Sequence, residues 1–243
     1  MLSRARAQDG FSLIELMVTI TLSMLVLFAL MSLIDTGGKA RARLSDKTES
    51  VQRLRNGTDR ITRILRTQVC ADTGTPPLIS GTASAVTFYS DTSTTATNSA
   101  FRPRKVELSY TADDNGSIVQ KVYEPTNTAS PWTYPAATAP TRASTLIDNV
   151  TAEDGTSSVF TYYSFSALTT ELALPLSTSL ATDPLPANSV AKVTKIGIDL
   201  KATPQSRNPG PNRSTAITNT VHTRNADFSG GDNVGRTWGP RCG

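Results

Sequence analysis

Glu15 is the residue whose chemistry stands out, because it is the one charged side chain in an apolar and small-hydroxyl run from Phe11 to Ile34. A carboxylate inside a membrane helix costs on the order of 2.5–3.5 kcal/mol at the bilayer centre and less near the surface, so it marks a functional site that needs a partner. If a protease cuts between Gly10 and Phe11, the new α-amine lies about one helical turn from Glu15. The amine and the carboxylate could then neutralise each other, within one chain or between neighbouring chains.

The element that positions Glu15 is a predicted helix over residues 10–34. At 1.5 Å per residue it is roughly 36 Å long, which is enough to cross a hydrocarbon core of about 30 Å. A secretory signal peptide has a shorter apolar region and a small-residue cleavage site, and no such site follows Ile34. A plain signal anchor stays open as an alternative, but it gives no reason for Glu15 or for the Gly10-Phe11 pair.

The charges around this helix predict its orientation. Arg4 and Arg6 precede it, which favours a cytoplasmic N-terminus. Lys39, Arg41 and Arg43 follow it and are a counter-signal. We favour the N-terminus inside, because a whole domain follows on the far side.

Residues 10–17, Gly-Phe-Ser-Leu-Ile-Glu-Leu-Met, resemble the type IV prepilin cleavage and methylation motif, with Ser12 in place of the usual threonine. Together with the apolar helix that belongs to the motif, the resemblance covers about a tenth of the chain. It implies that Gly10 is the last leader residue, that Phe11 is the first mature residue and is N-methylated, and that Glu15 is the assembly carboxylate. It also implies prepilin peptidase, other pilin or pseudopilin subunits, a membrane assembly platform and the lipid bilayer as partners.

The expected fold class is α+β and pilin-like, with a long N-terminal helix packed on a mostly antiparallel β-sheet domain. We expect a leader peptide over residues 1–10, a transmembrane or filament-core helix over 11–34, an amphipathic half-helix over 35–70 and an extracellular β-rich domain over 71–243. Gly37 and Gly38 cost about 2 kcal/mol of helix propensity together and predict a kink, a frayed point or a hinge.

An apolar stripe follows on the second half of the helix, typical of a helix that covers a sheet. A coiled coil is a weaker interpretation, because Lys47 and Thr58 break the stripe. The stripe consists of Leu44, Val51, Leu54, Ile61, Ile64 and Leu65.

The rest of the chain alternates in the manner of strands separated by turn residues. Asn115-Gly116 between two alternating runs predicts a hairpin. Asp113 and Asp114 could be read as part of a calcium loop, but a solvated turn is favoured because the other ligands of such a site are missing. The predicted strands are Ala85–Ser90, Lys105–Tyr110, Ser117–Tyr123, Thr145–Val150, Val159–Phe165, Val190–Ala202 and Ser214–Arg224. The predicted loops are Asp91–Ala100, Thr126–Thr141, Ser177–Asn188 and Thr203–Arg213.

Neither the composition nor the motifs of the sequence indicate catalysis. The sequence holds one histidine, His222, and lacks the common hydrolase, metalloprotease and phosphate-loop motifs. We therefore expect no enzyme activity, no cofactor and no metal. The net charge of +4 is mild, so nucleic acid is a conceivable partner without support from the composition.

Two other pairs of residues carry alternatives. Cys70 and Cys242 could form a disulfide in an oxidising exterior, or they could be two reduced thiols. Trp132 and Trp238 could be exposed adhesion contacts, although covering a small core is the favoured interpretation.

The order of elements along the chain also resembles the minor pilins of the PilW and pseudopilin-J (PulJ/GspJ) type. Two functions follow. The first is a structural subunit of a type IV pilus or fimbrium, or of a type II secretion pseudopilus, which starts as a single-pass cytoplasmic-membrane protein and ends at the cell surface. The second is a tip-located minor pilin that acts as an adhesin or as a DNA- or substrate-binding module.

Overall fold

A computed structural model describes residues 12–72, 75–91, 102–153, 155, 157–165, 177–180, 182–202 and 214–222 of the chain. The chain forms two compact units, Met1–Asp46 and Lys47–Gly243. Helix α1, Leu13–Leu65, contributes residues to both units. The second unit also contains all of the described strands.

Helix α1 has 53 residues and places Glu15 in its first turn and Arg63 in its last turn, so both charges complement the helix dipole. The helix continues through Gly37 and Gly38, so it is not frayed there as one of the three predicted outcomes required. Residues on either side of the two glycines form an ion pair one helical turn apart, with Lys39 Nζ 2.6 Å from an Asp35 carboxylate oxygen. The propensity cost of two glycines is therefore tolerated in a helix of this length.

In the second unit, α1 buries one face against the sheets. Leu54, Ile61 and Leu65 are fully buried, as the apolar stripe predicts, and Ile64 packs at the edge of the same core. The prediction for Leu44 was wrong, because its side chain is 66% exposed. Thr58 lies within the buried face, where its hydroxyl donates to the Leu54 carbonyl oxygen at 2.8 Å. This internal hydrogen bond lets a polar residue occupy the stripe.

The first sheet is antiparallel and has five strands in sequence order, β1 to β5. Alternate residues of its strands are buried in the core, among them Phe88 and Leu108. The strands are β1 Leu78–Gly81, β2 Ala85–Ser90, β3 Arg104–Thr111, β4 Ser117–Tyr123 and β5 Arg142–Asp148.

The second sheet is also antiparallel, and β9 lies at its centre. Strand β10 pairs along one edge of β9, while β6 and β7 share the other edge and β8 pairs with β7. The strands are β6 Val150–Ala152, β7 Phe160–Phe165, β8 Ser177–Ser179, β9 Lys195–Ala202 and β10 Thr215–His222. A short helix, α2 Ala187–Val190, precedes β9.

The chain passes from the first sheet to the second at Asn149, which adopts φ +54° between β5 and β6. Asparagine is among the residues that tolerate this left-handed conformation. Just beyond it, the Val150 amide donates to the Gly116 carbonyl oxygen at 3.1 Å. This bond ties the crossover to the turn that joins β3 and β4.

Tyr162 of β7 links the two sheets a second time. Its buried hydroxyl lies 3.0 Å from the carbonyl oxygen of Thr82, in the β1–β2 turn, and 2.9 Å from that of Ala85, at the start of β2. The Val159 and Phe160 amides donate to the Ala83 carbonyl oxygen of the same turn. The β1–β2 turn of the first sheet is thereby held against the second sheet.

Two strand predictions, one turn prediction and one loop prediction need correction. The β3–β4 hairpin is confirmed, but its connection contains a short 3₁₀ turn over Asp113–Asn115 and is longer than a two-residue turn. Thr145–Val150 divides into β5 and β6 at Asn149, and Val190–Ala202 becomes a strand only at Lys195, after α2 and a turn. Ser177–Ser179 is a strand and not part of a loop, because it pairs with β7.

Candidate functional site

The candidate site begins at the first turn of α1, where Glu15 is exposed. Helical hydrogen bonding is established by Leu16, whose backbone amide donates to the Ser12 carbonyl oxygen at 3.1 Å. Among the described residues, none forms an ion pair with the Glu15 carboxylate. The predicted partner, the Phe11 amine, and the predicted cleavage residue Gly10 lie outside the described residues.

The apolar surface around Glu15 is uncovered on every side of the helix. All large apolar side chains from Leu13 to Ile34 are at least half exposed, from 50% for Leu30 to 78% for Leu13. By length and composition, α1 is the one described helix that could cross a membrane. A fully exposed apolar helix is stable in lipid or against other apolar helices, and not in water.

Three hydroxyl groups on this segment donate hydrogen bonds to backbone carbonyls of the helix itself. Thr19 donates to the Leu16 carbonyl oxygen at 2.9 Å, Thr21 to that of Val18 at 2.9 Å, and Ser23 to that of Thr19 at 2.7 Å. These bonds remove the need for water at three polar side chains. The carboxylate of Glu15 is the charged group of the segment, and no described residue forms an ion pair with it.

His222, Trp132 and the acidic turn take ordinary structural positions. His222 is exposed near the end of β10. Trp132 is half-buried and donates from Nε1 to the Ala71 carbonyl oxygen at 3.1 Å, which fits the core-covering interpretation. Asp113 lies in the 3₁₀ turn, and the described residues contain no group of three potential metal ligands.

Of the remaining predicted site residues, some lie within the described part of the chain and others lie outside it. Cys70 is half-buried shortly after α1, whereas Cys242 and Trp238 lie outside the described residues. The loop predictions for residues 92–100 and 203–213 lie outside them as well. The predicted loop Thr126–Thr141 is confirmed, and strand β5 begins directly after it at Arg142.

Sequence reasoning missed a cluster of tyrosines on the outer face of the first sheet. The Lys105 ammonium lies 4.4 Å from the Tyr123 ring centre and 5.8 Å from the Tyr134 ring centre. The Tyr123 hydroxyl donates to the Ala137 carbonyl oxygen at 2.9 Å and lies 3.2 Å from the Glu107 carboxylate. Burial raises the pKa of Tyr123 to about 12, and the Glu107 charge adds to the rise. Burial also raises the pKa of Tyr134.

A basic cleft was missed too, because its residues come from separate parts of the sequence. It has a volume of about 440 Å³ and lies between α1 and the β3–β4–β5 end of the first sheet. Arg104 lies on its wall and pairs with Glu124 at 2.7 Å. The described residues that line it are Arg60, Arg104, Gln120, Val122, Glu124, Thr141, Arg142 and Ser144.

Comparison with known proteins identifies the N-terminal segment. Residues 5–31 match the family model described as the prokaryotic N-terminal methylation motif. A search of the curated proteins found no match, and a search of the solved structures found none. The matched segment includes Gly10, Phe11 and Glu15, and the α+β architecture with a long apolar N-terminal helix agrees with it. The motif match supports a relationship of this chain to the type IV prepilin and pseudopilin family.

Proposed function

We propose that the protein is a minor pilin or pseudopilin subunit of a type IV pilus or a type II secretion pseudopilus. Prepilin peptidase removes residues 1–10, the new amine of Phe11 is N-methylated, and the mature chain is assembled through its N-terminal helix. The observation that carries this proposal is the lone carboxylate of Glu15 at the head of an exposed apolar helix inside the matched motif.

The exposed apolar surface supports storage in a membrane followed by assembly. At about 25 cal/mol per Å², moving the large side chains of residues 13–34 from lipid into water costs on the order of tens of kcal/mol. A filament core made of the same helices replaces lipid with protein and avoids this cost. The helix therefore favours a subunit that waits in the bilayer and leaves it only into contact with other subunits.

Glu15 supplies the register of that contact. In a filament core its carboxylate pairs with the Phe11 amine of an adjacent subunit, because an unpaired buried charge is strongly unfavourable. One such pair per subunit fixes the axial position of a helix whose remaining surface is uniformly apolar. This is the specificity role that buried ion pairs can have.

The test compares Glu15→Ala with Asp35→Ala in cells that assemble the apparatus. Both variants lose one exposed carboxylate from the same helix, but Asp35 already pairs with Lys39 at 2.6 Å. We expect Glu15→Ala to be cleaved normally and to be depleted about tenfold or more from the sheared filament fraction, as for loss of a buried charge pair. Asp35→Ala should incorporate like the wild type. Normal incorporation of Glu15→Ala would refute the register role.

A second variant tests processing separately from assembly. Gly10→Leu places a bulky side chain at the last leader residue, so the precursor should accumulate uncut. Immunoblotting of membranes separates the precursor from the mature form by the mass of ten residues. A mature species beginning at Phe11 in this variant would contradict the proposed cleavage position.

The topology and domain boundaries follow from this proposal. The leader, residues 1–10, lies in the cytoplasm, residues 11–34 span the membrane, residues 35–70 complete the helical half, and the β-rich domain, residues 71–243, lies outside. The same oxidising exterior supports a disulfide between Cys70 and Cys242. After assembly, the domain is displayed on the pilus or pseudopilus.

A further inference from the structure

The basic cleft carries more positive charge than its own residues neutralise. Its described lining residues include three arginines and one glutamate, which together carry a net charge of +2. Glu124 pairs with Arg104, whereas neither Arg60 nor Arg142 forms an ion pair with a described residue. Guanidinium groups bind carboxylates through two parallel hydrogen bonds, so the cleft is suited to an acidic side chain.

The sheet that holds the cleft carries opposite charge at its other end. Strands β3 and β5 run in the same direction, because each is antiparallel to β4 between them. Arg104 and Arg142 stand at their starts, while Asp148 ends β5 and Asp113 follows β3. At about 3.4 Å per residue, Arg142 and Asp148 are separated by about 20 Å along β5.

Both acidic groups are available to a partner. Asp113 and Asp148 are exposed, and neither forms an ion pair with a described residue. Ser117, which pairs across from Asp148, bonds to Thr111 just before the Asp113 turn, so the two aspartates share one end of the sheet. The first sheet is therefore basic at one end and acidic at the other.

We propose that the basic cleft is a docking site for the acidic end of a second copy of this chain, with Asp148 or Asp113 of one copy entering between Arg60 and Arg142 of the next. The surfaces differ on the two copies, so the contact is head-to-tail and can repeat along an assembly. Charge complementarity sets which end meets which and prevents two like ends from pairing. This inference rests on the proposed function for its setting, because assembly through the N-terminal helices would bring the globular domains of neighbouring subunits close together.

The test uses purified full-length protein in a non-ionic detergent, so that it does not depend on filament assembly. A photoreactive benzoyl-phenylalanine at Ser144, on the cleft wall, reports what lies in the cleft. We expect a crosslinked dimer whose second peptide contains Asp113 or Asp148. Crosslinking should weaken with added salt, since the contact is made by exposed charges.

Charge reversals make the test specific. Arg142→Glu and Asp148→Arg should each reduce the crosslinked dimer by about fivefold or more, because an attractive pair becomes a repulsive one. A mixture of the two variants should restore it, since the reversed cleft of one accepts the reversed strand end of the other. Arg63→Glu is the matched control: this exposed arginine lies on the same helix as Arg60 but does not line the cleft, and it should leave the dimer unchanged. Equal urea midpoints for all variants show that the fold is intact.

Several outcomes would overturn the inference: no crosslinked dimer, crosslinks to another part of the second copy, capture by Arg142→Glu at the wild-type level, or failure of the mixture to restore the dimer. Incorporation into filaments is read separately in cells. Wild-type protein that enters filaments but shows no contact at Ser144 overturns the head-to-tail contact and leaves the proposed function intact. Protein that crosslinks as expected but never enters filaments supports the head-to-tail contact and contradicts the proposed function.

Discussion

Gly57 of helix α1 lies directly against the side chain of Ile147 on strand β5. A Cβ atom at Gly57 would stand 2.8 Å from Ile147 Cβ and 2.9 Å from its Cγ1, closer than side-chain carbons pack. Gly57 is buried, and so is Ile147 at 4% exposure. The absence of a side chain at this point sets how closely the helix approaches the first sheet.

Gly57→Ala should therefore destabilise the domain although alanine is the better helix former. We expect a loss of about 1–3 kcal/mol in the free energy of unfolding, from overpacking against Ile147. Urea unfolding of the full-length protein in detergent, followed by tryptophan fluorescence, measures it. Gly38→Ala is the matched control, because no atom lies within 4 Å of a Cβ there. The control should gain up to about 1 kcal/mol from helix propensity; an equal gain in Gly57→Ala would contradict the close approach.

Gly116 is required at the crossover for two reasons that can be separated. Its φ is +81°, and a Cβ would overlap the Val150 carbonyl oxygen. Gly155 has a similar φ of +75° with no atom within 4 Å. Gly155→Ala should cost about 1–2 kcal/mol for the left-handed conformation alone. Gly116→Ala should cost at least about 1 kcal/mol more in the same unfolding experiment. Equal costs would mean that the Gly116–Val150 contact contributes nothing.

Stability should fall above pH 10 through Tyr123. The folded-state pKa of Tyr123 is raised from 10.0 to about 12, by burial first and by Glu107 second. The unfolded chain therefore loses this proton first, so the stabilisation is present below pH 10 and is lost as the pH rises from 10 to about 12. Tyr123→Phe should show a shallower decline over this interval in urea midpoints measured at fixed pH steps. The same slope in both proteins would remove Tyr123 as a cause.

The Cys70–Cys242 bridge is tested by alkylation. Protein recovered from the cell exterior should take up no alkylating reagent before reduction and two equivalents after it, as the mass shift shows. Closing a loop of this length stabilises by about 4–5 kcal/mol in the chain-entropy model, so reduction should lower the urea midpoint markedly. Two thiols reactive without reductant would exclude the bridge.

Local features were predictable from the sequence, and long-range contacts were not. Ala85–Ser90 and Ser117–Tyr123 were predicted with the bounds of β2 and β4. Burial alternates along β2, whereas the start of β4 is marked by the Asn115-Gly116 turn before it. The β-branched residues after Val190 led to a strand prediction that starts too early. The Val193 amide donates to the Val190 carbonyl oxygen and the Thr194 amide to that of Tyr163, before β9 begins. Strand β1 was missed because it is only four residues long.

The candidate sites differ in the same way. The motif around Glu15 was visible because its residues are adjacent in sequence and its helix is uniformly apolar. The basic cleft was invisible because Arg60, Arg104 and Arg142 come from the helix and from two strands. Only the pairing of β3, β4 and β5 under α1 brings these three side chains to one cavity.

The N-terminus of the wild-type protein recovered from cells tests the central claim most directly. Edman degradation with mass spectrometry of the N-terminal peptide should read N-methyl-phenylalanine, then Ser-Leu-Ile-Glu, corresponding to Phe11 and the residues that follow it. A chain that instead begins Met-Leu-Ser retains residues 1–10, leaves Glu15 without its proposed amine partner, and contradicts the account.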